Sequence, residues 1–126
     1  YSVDKQYRLA NGYSWFPQEQ LSEEERQIGF DICEQYHYRF DMVLSHTCPI
    51  CYEPIDLFLS FVDQSTVDKT TERFLGELEY KMSYDMWLWG HFHADRIYPT
   101  EHQIMLYTQA VELQNLMDIE AETKFI

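Results

Sequence analysis

The sequence predicts an α/β domain, a sheet covered by helices, on three observations. Apolar residues recur at helical spacing in two stretches, short apolar runs come after each stretch, and helix-like and strand-like segments alternate along the chain. The 126 residues suffice for one domain, and no repeat, low-complexity tract or Pro/Gly/Ser linker marks a boundary within 1–126.

Each element has a local signal. Tyr1-Ser2-Val3 is strand-like and opens the chain abruptly, and Asn11-Gly12-Tyr13-Ser14 reads as a loop. Ser22 precedes Glu23-Glu24-Glu25, which forms a capping box with acidic residues at the positive end of a helix. Ile28, Ile32 and Tyr36 recur every fourth residue, so a helix is predicted over about 23–37. Asp41 to Ser45 is too short for a helix and suits a strand buried on both faces, and Pro49 and Pro54 interrupt regular structure after it. A second helix is predicted over about 68–82, where Phe74, Leu78 and Met82 make one stripe and Lys69, Glu72, Arg73, Glu77 and Lys81 lie elsewhere. Met86 to Trp89 is another buried run. Ile97-Tyr98 and Ile104 to Tyr107 read as two strands paired across a polar turn, and beyond Thr108 the pattern favours neither helix nor strand.

Charge narrows the function. Nine Lys and Arg against 22 Asp and Glu give a net charge of −13, which opposes binding to nucleic acid or an anionic membrane. No apolar run is long enough for a membrane span, and the first 20 residues lack a signal-peptide stretch. Three cysteines, an odd number, fit a cytoplasmic location better than a disulfide framework.

Both central apolar runs end in histidine, in Ser45-His46-Thr47 and in Gly90-His91-Phe92-His93. Open α/β sheets bind ligands at the carboxyl ends of their strands, so His46, His91 and His93 are expected in one place. Two histidines spaced His-x-His on an extended chain point to one side, which suits metal ligation. Arg96, three residues further on, is a candidate for a substrate phosphate. The competing expectation for Arg96 is a surface ion pair with Asp95 or Glu101. His37 and His102 have no spacing relation to the strand-end group.

Ser45-His46-Thr47 after an apolar strand, followed about 45 residues later by Trp89-Gly90-His91-Phe92-His93, resembles the last two signature blocks of the calcineurin-like metallophosphoesterases. Tyr1 to Lys5, the Trp15-Phe16 region and Asp41 to Pro49 also resemble bacterial members. The resemblance implies a two-layer β-sandwich of mixed sheets flanked by helices. It also implies hydrolysis of phosphate mono- or diesters at two metal ions, Mn, Fe or Zn, with His46 and His91 on one ion and His93 on the other. The family's earlier blocks, Asp-x-His, Gly-Asp and Gly-Asn-His-Glu or Asp, are absent. The four glycines precede Tyr13, Phe30, Glu77 and His91, no Asp has a His two positions on, and neither Asn11 nor Asn115 precedes a His. The chain therefore resembles the C-terminal half only. Its expected partners are a phosphorylated substrate and the missing N-terminal half. Alone it is expected to be inactive and to associate with itself through the surface where that half belongs.

Two other functions compete. Cys48-Pro49-Ile50-Cys51 resembles a thioredoxin-type redox corner, although Pro54 delays the helix that should come next, and Glu53 and Asp56 would raise a thiolate's pKa. A structural zinc on Cys48, Cys51 and His46 lacks a fourth ligand. A non-catalytic interaction module with a degenerate site is the remaining reading.

Overall fold

The computed structural model describes residues 5–14, 16, 20–60 and 63–110. Among the described residues it is a mixed α/β fold in which three α-helices accompany a four-stranded mixed sheet. Helix α1 (Lys5–Ala10) is a six-residue helix that no sequence pattern leads one to expect. Tyr1-Ser2-Val3 and residues 111–126 lie outside the described residues.

Helix α2 (Glu23–Gln35) begins at the predicted capping box. The Ser22 hydroxyl accepts from the Glu25 N–H, and the Glu25 carboxylate accepts from the Ser22 N–H at 2.8 Å. The helix buries a different face from the one its apolar spacing suggests. Ile28, Ile32 and Tyr36 are exposed, and Cys33 enters the core with Phe30 packed against it. The reason lies at Gly29, where an added Cβ would stand 2.8 Å from the Phe74 ring, so α2 approaches the next helix along its glycine side. The helix ends in a Schellman motif: the Tyr38 N–H donates to the Cys33 carbonyl and the His37 N–H to that of Glu34. His37 takes the left-handed position, φ 53°, that glycine usually fills.

Strand β1 (Arg39–Ser45) leads through two three-residue 3₁₀ turns, Ile50–Tyr52 and Ile55–Leu57, and a third over Gln64–Thr66 to helix α3 (Thr70–Lys81). Phe74, Leu75 and Leu78 of α3 are buried. Glu72, predicted to lie off the apolar stripe, is buried too. Strand β2 (Ser83–Trp89) then returns parallel to β1, which makes β1-α3-β2 a crossover unit. Strands β3 (Arg96–Tyr98) and β4 (Gln103–Met105) pair antiparallel, as their sequence suggests, and β4 also lies parallel to β2. The order is β1-β2-β4-β3.

This order decides which strands are buried. Central β2 has Met86, Trp87 and Trp89 in the core. β1 lies at the edge of the sheet and is not buried on both faces as expected, since Leu44 is 71 % exposed. One sheet face carries Val43, Trp87, Trp89 and Met105 into the main core with Phe74, Leu75 and Leu78. Register places Met42, Leu44, Met86, Leu88, Ile104 and Ile97 on the other face. There Met86 and Ile104 are buried, while Leu44 and Ile97 are exposed. No helix among the described residues is long and apolar enough to cross a membrane.

Candidate functional site

Three parallel strand ends lie side by side, because register sets Ser45 opposite Trp89 and Trp89 opposite Met105. The segments leaving them, His46-Thr47, Gly90 to Ala94 and Leu106-Tyr107, therefore share one edge of the sheet. Gly90 is wedged into that edge. Its N–H donates to the His46 carbonyl at 3.1 Å, and an added Cβ would meet the Leu106 carbonyl oxygen at 3.3 Å.

The structure brings His46 and His91 together, with Nε2 of His46 3.0 Å from Nδ1 of His91 and the rings edge to face. Burial is the largest cause that pushes the His91 pKa down to about 4, with smaller contributions that include His46 and His93, so its imidazole is neutral at physiological pH. A neutral ring is the form that ligates a metal. The contact between His46 and His91 is a hydrogen bond, one ring nitrogen donating and the other accepting according to the tautomer.

His93 is not part of this pair. Its ring stacks on Tyr107, with centroids 4.9 Å apart and planes 20° apart. Convergence of the two rings requires an extended His-x-His, but His91 and His93 have φ of 73° and 54°, both left-handed. Alternation does not apply to such a turn, and the two rings go to different neighbours. Among the described residues no three His, Cys, Asp or Glu side chains group to hold a metal, including Cys48, Cys51 and His46.

Asp95, expected from the sequence only as a partner of Arg96, and Tyr107 shape the other half of this edge. The Asp95 carboxylate accepts from the Tyr107 N–H at 2.7 Å, the Thr108 N–H at 3.2 Å and the Thr108 hydroxyl at 2.5 Å. These bonds hold its pKa below the usual carboxylate range, the Thr108 hydroxyl first among them. The partners are 12 and 13 residues apart, so no local motif announces them.

Arg96 forms an ion pair, but with neither expected acid. Its guanidinium makes a two-pronged pair with the Asp56 carboxylate, at 2.9 and 2.7 Å, which occupies the fork a phosphate would need. Asp56 is 40 positions away and reaches Arg96 through the Ile55–Leu57 turn. His102 directs Nδ1 at the Asp85 carbonyl, 3.2 Å away.

The Cys-x-x-Cys segment lacks the geometry of a redox corner. Cys48 is fully buried, and burial, with Glu53 and Glu72 nearby, pushes its thiol up to about 12. Cys51 is exposed yet also raised, chiefly by desolvation, and a 3₁₀ turn comes after Cys48 instead of an α-helix. Attack on a disulfide needs the opposite shift.

Compared with protein-family models, with curated proteins and with solved structures, the chain matches none.

Proposed function

We propose that this chain is the C-terminal portion of a cytoplasmic, calcineurin-like metallophosphoesterase that hydrolyses phosphate mono- or diesters at two metal ions, Mn, Fe or Zn. One observation carries the reading: the 3.0 Å approach of His46 and His91 at the ends of adjacent parallel strands. Residues 45 apart meet there through a parallel pairing, which is how α/β enzymes assemble sites from distant sequence.

In this reading His46 and His91 hold one ion, and His93 offers its imidazole to the other. Gly90 lets the strand ends close up, and the Asp95 bonds fix Tyr107 against His93. When bound, a pair of such ions polarises the phosphoryl oxygens and supplies a hydroxide nucleophile. Three imidazoles cannot complete two coordination spheres, so the remaining ligands come from the N-terminal half. That half also supplies a second sheet over the apolar face on which Leu44 and Ile97 are exposed, giving the sandwich. Without that cover the face drives self-association, and a monomer by light scattering at all concentrations would count against this arrangement.

The test compares this chain with the longer gene product, each as wild type and as His91→Ala. Bound metal is measured by elemental analysis, and hydrolysis of an aryl phosphate is followed with added Mn²⁺. The expected result is metal and turnover in the longer protein, both lost with His91→Ala, and little of either in this chain. A longer protein that holds no metal and is indifferent to His91→Ala refutes the enzyme reading and leaves an interaction module.

A further inference from the structure

The cationic side chains of this acidic molecule are unevenly distributed. Arg39, Lys69 and Arg96 each pair with a carboxylate, namely Asp85, Glu53 and Asp56. Arg26, Arg73 and Lys81 form no ion pair with any carboxylate among the described residues. Two of them, Arg26 and Arg73, meet at one place between α2 and α3. Arg26 and Arg73 line a cavity of about 200 Å³ together with Phe30, Thr70, Phe74 and Glu77, and Lys81 sets its ammonium 4.8 Å from the centre of the Phe30 ring. Phe30 and Phe74 meet edge to face at 5.1 Å.

A chain of net charge −13 with nine cationic residues has acids to spare for each of them. Arg26 and Arg73 face one cavity with no ion pair to a carboxylate among the described residues, which suits that cavity to an anion. The cavity walls define the rest of the ligand. Two guanidinium forks match an oxyanion, and two phenyl rings match an aromatic or short apolar group. Pockets that enclose drug-sized ligands measure about 300–1,000 Å³, so this smaller cavity suits a smaller molecule. Of the Arg26 fork, Nη1 donates to the Leu21 carbonyl at 3.0 Å, which fixes the side chain, and its other N–H groups meet no hydrogen-bond partner among the described residues. Among the described residues Glu77 is the one lining carboxylate, and it opposes an anion.

We infer that the cleft between α2 and α3 is a binding site for a small organic oxyanion, a carboxylate or phosphonate carrying an aromatic group, held by Arg26 and Arg73 with its apolar part against Phe30 and Phe74. The site is built from helices, is independent of the strand-end histidines, and stands or falls separately from the proposed hydrolysis.

The test is a titration of the ¹⁵N-labelled chain in EDTA and low salt with benzoate and with phenylphosphonate, phenol serving as the uncharged control. The expected result is saturable shifts of α2 and α3 amides with Kd on the order of 1 mM or tighter, and none with phenol. Arg73→Gln, which removes one of the two forks, weakens binding about tenfold, the usual scale for losing a charged hydrogen-bonding group. Glu77→Gln tightens binding, an effect that a merely structural role would not produce. Arg96→Gln, which removes the same charge from β3, leaves Kd unchanged. If neither anion saturates by about 10 mM, or if Arg73→Gln and Arg96→Gln weaken binding equally, the inference is wrong.

Discussion

Removing the Ser45 hydroxyl tests how the strand-end edge is held together. Trp87 is fully buried, and its indole N–H donates to Ser45 Oγ at 2.8 Å across the β1–β2 pair. The same hydroxyl donates to the Thr47 carbonyl at 2.6 Å, so one oxygen ties the central strand to the turn that carries His46. Ser45→Ala leaves a buried indole donor without an acceptor, which costs about 1–3 kcal/mol. At about 4 °C per kcal/mol for a domain of this size, the melting temperature should fall by roughly 4–12 °C. Urea denaturation followed by tryptophan fluorescence measures the loss, and an unchanged m-value would show that the unfolded state is unaffected. Trp87→Phe removes the donor, so adding Ser45→Ala to that variant should cost less by at least about 1 kcal/mol. Costs that add within about 0.5 kcal/mol, or a Ser45→Ala protein as stable as wild type, would refute the claim that this bond organises the edge.

The remaining predictions concern packing, acid stability and the thiols. Gly29→Ala should destabilise by about 1 kcal/mol, because overpacking against Phe74 outweighs the gain in helix propensity, and a stabilised variant would contradict the close approach of α2 and α3. Asp95 is held below its usual pKa, so its stabilising effect is complete above the unfolded value near about 4 and is lost as pH falls through the lower folded value. Asp95→Asn should therefore be less stable than wild type at pH 7 and approach it as acid protonates the wild-type group. Denaturation curves at both ends of that range measure this, and a gap that widens in acid would overturn the assignment. Among the three cysteines, exposed Cys51 should react with a disulfide reagent at pH 7, slowly, while Cys48 and Cys33 wait for denaturant. Rapid modification of Cys48, or reduction of a protein disulfide by the native chain, would restore the redox reading.

Much of the architecture is written locally. The capping box at Ser22 starts α2 within the predicted span, and the Phe74-Leu78 stripe sets α3. The approach of His46 and His91 comes from a general rule about strand ends, which needs only two parallel strands to apply. What the sequence conceals depends on contacts between distant segments. The buried face of α2 is decided by Gly29 meeting Phe74, and the partner of Arg96 by a turn 40 residues earlier. His93 parts from His91 because both take left-handed backbone, where the two-residue alternation of a strand has no meaning. Short α1 has no cap or stripe to announce it, since six residues make less than two turns.

Four of the five histidines, His37, His91, His93 and His102, hold φ between 53° and 73°. A side chain there costs about 1–2 kcal/mol against a right-handed residue, and glycine escapes that penalty while losing part of the gain to unfolded-state entropy. A saturation library would therefore show one signature at all four sites, with valine and isoleucine rejected and glycine accepted. Selection for abundance alone would favour glycine at each. If the proposed hydrolysis is right, selection for chemistry would keep the imidazole only at 91 and 93, so the two screens together test that proposal.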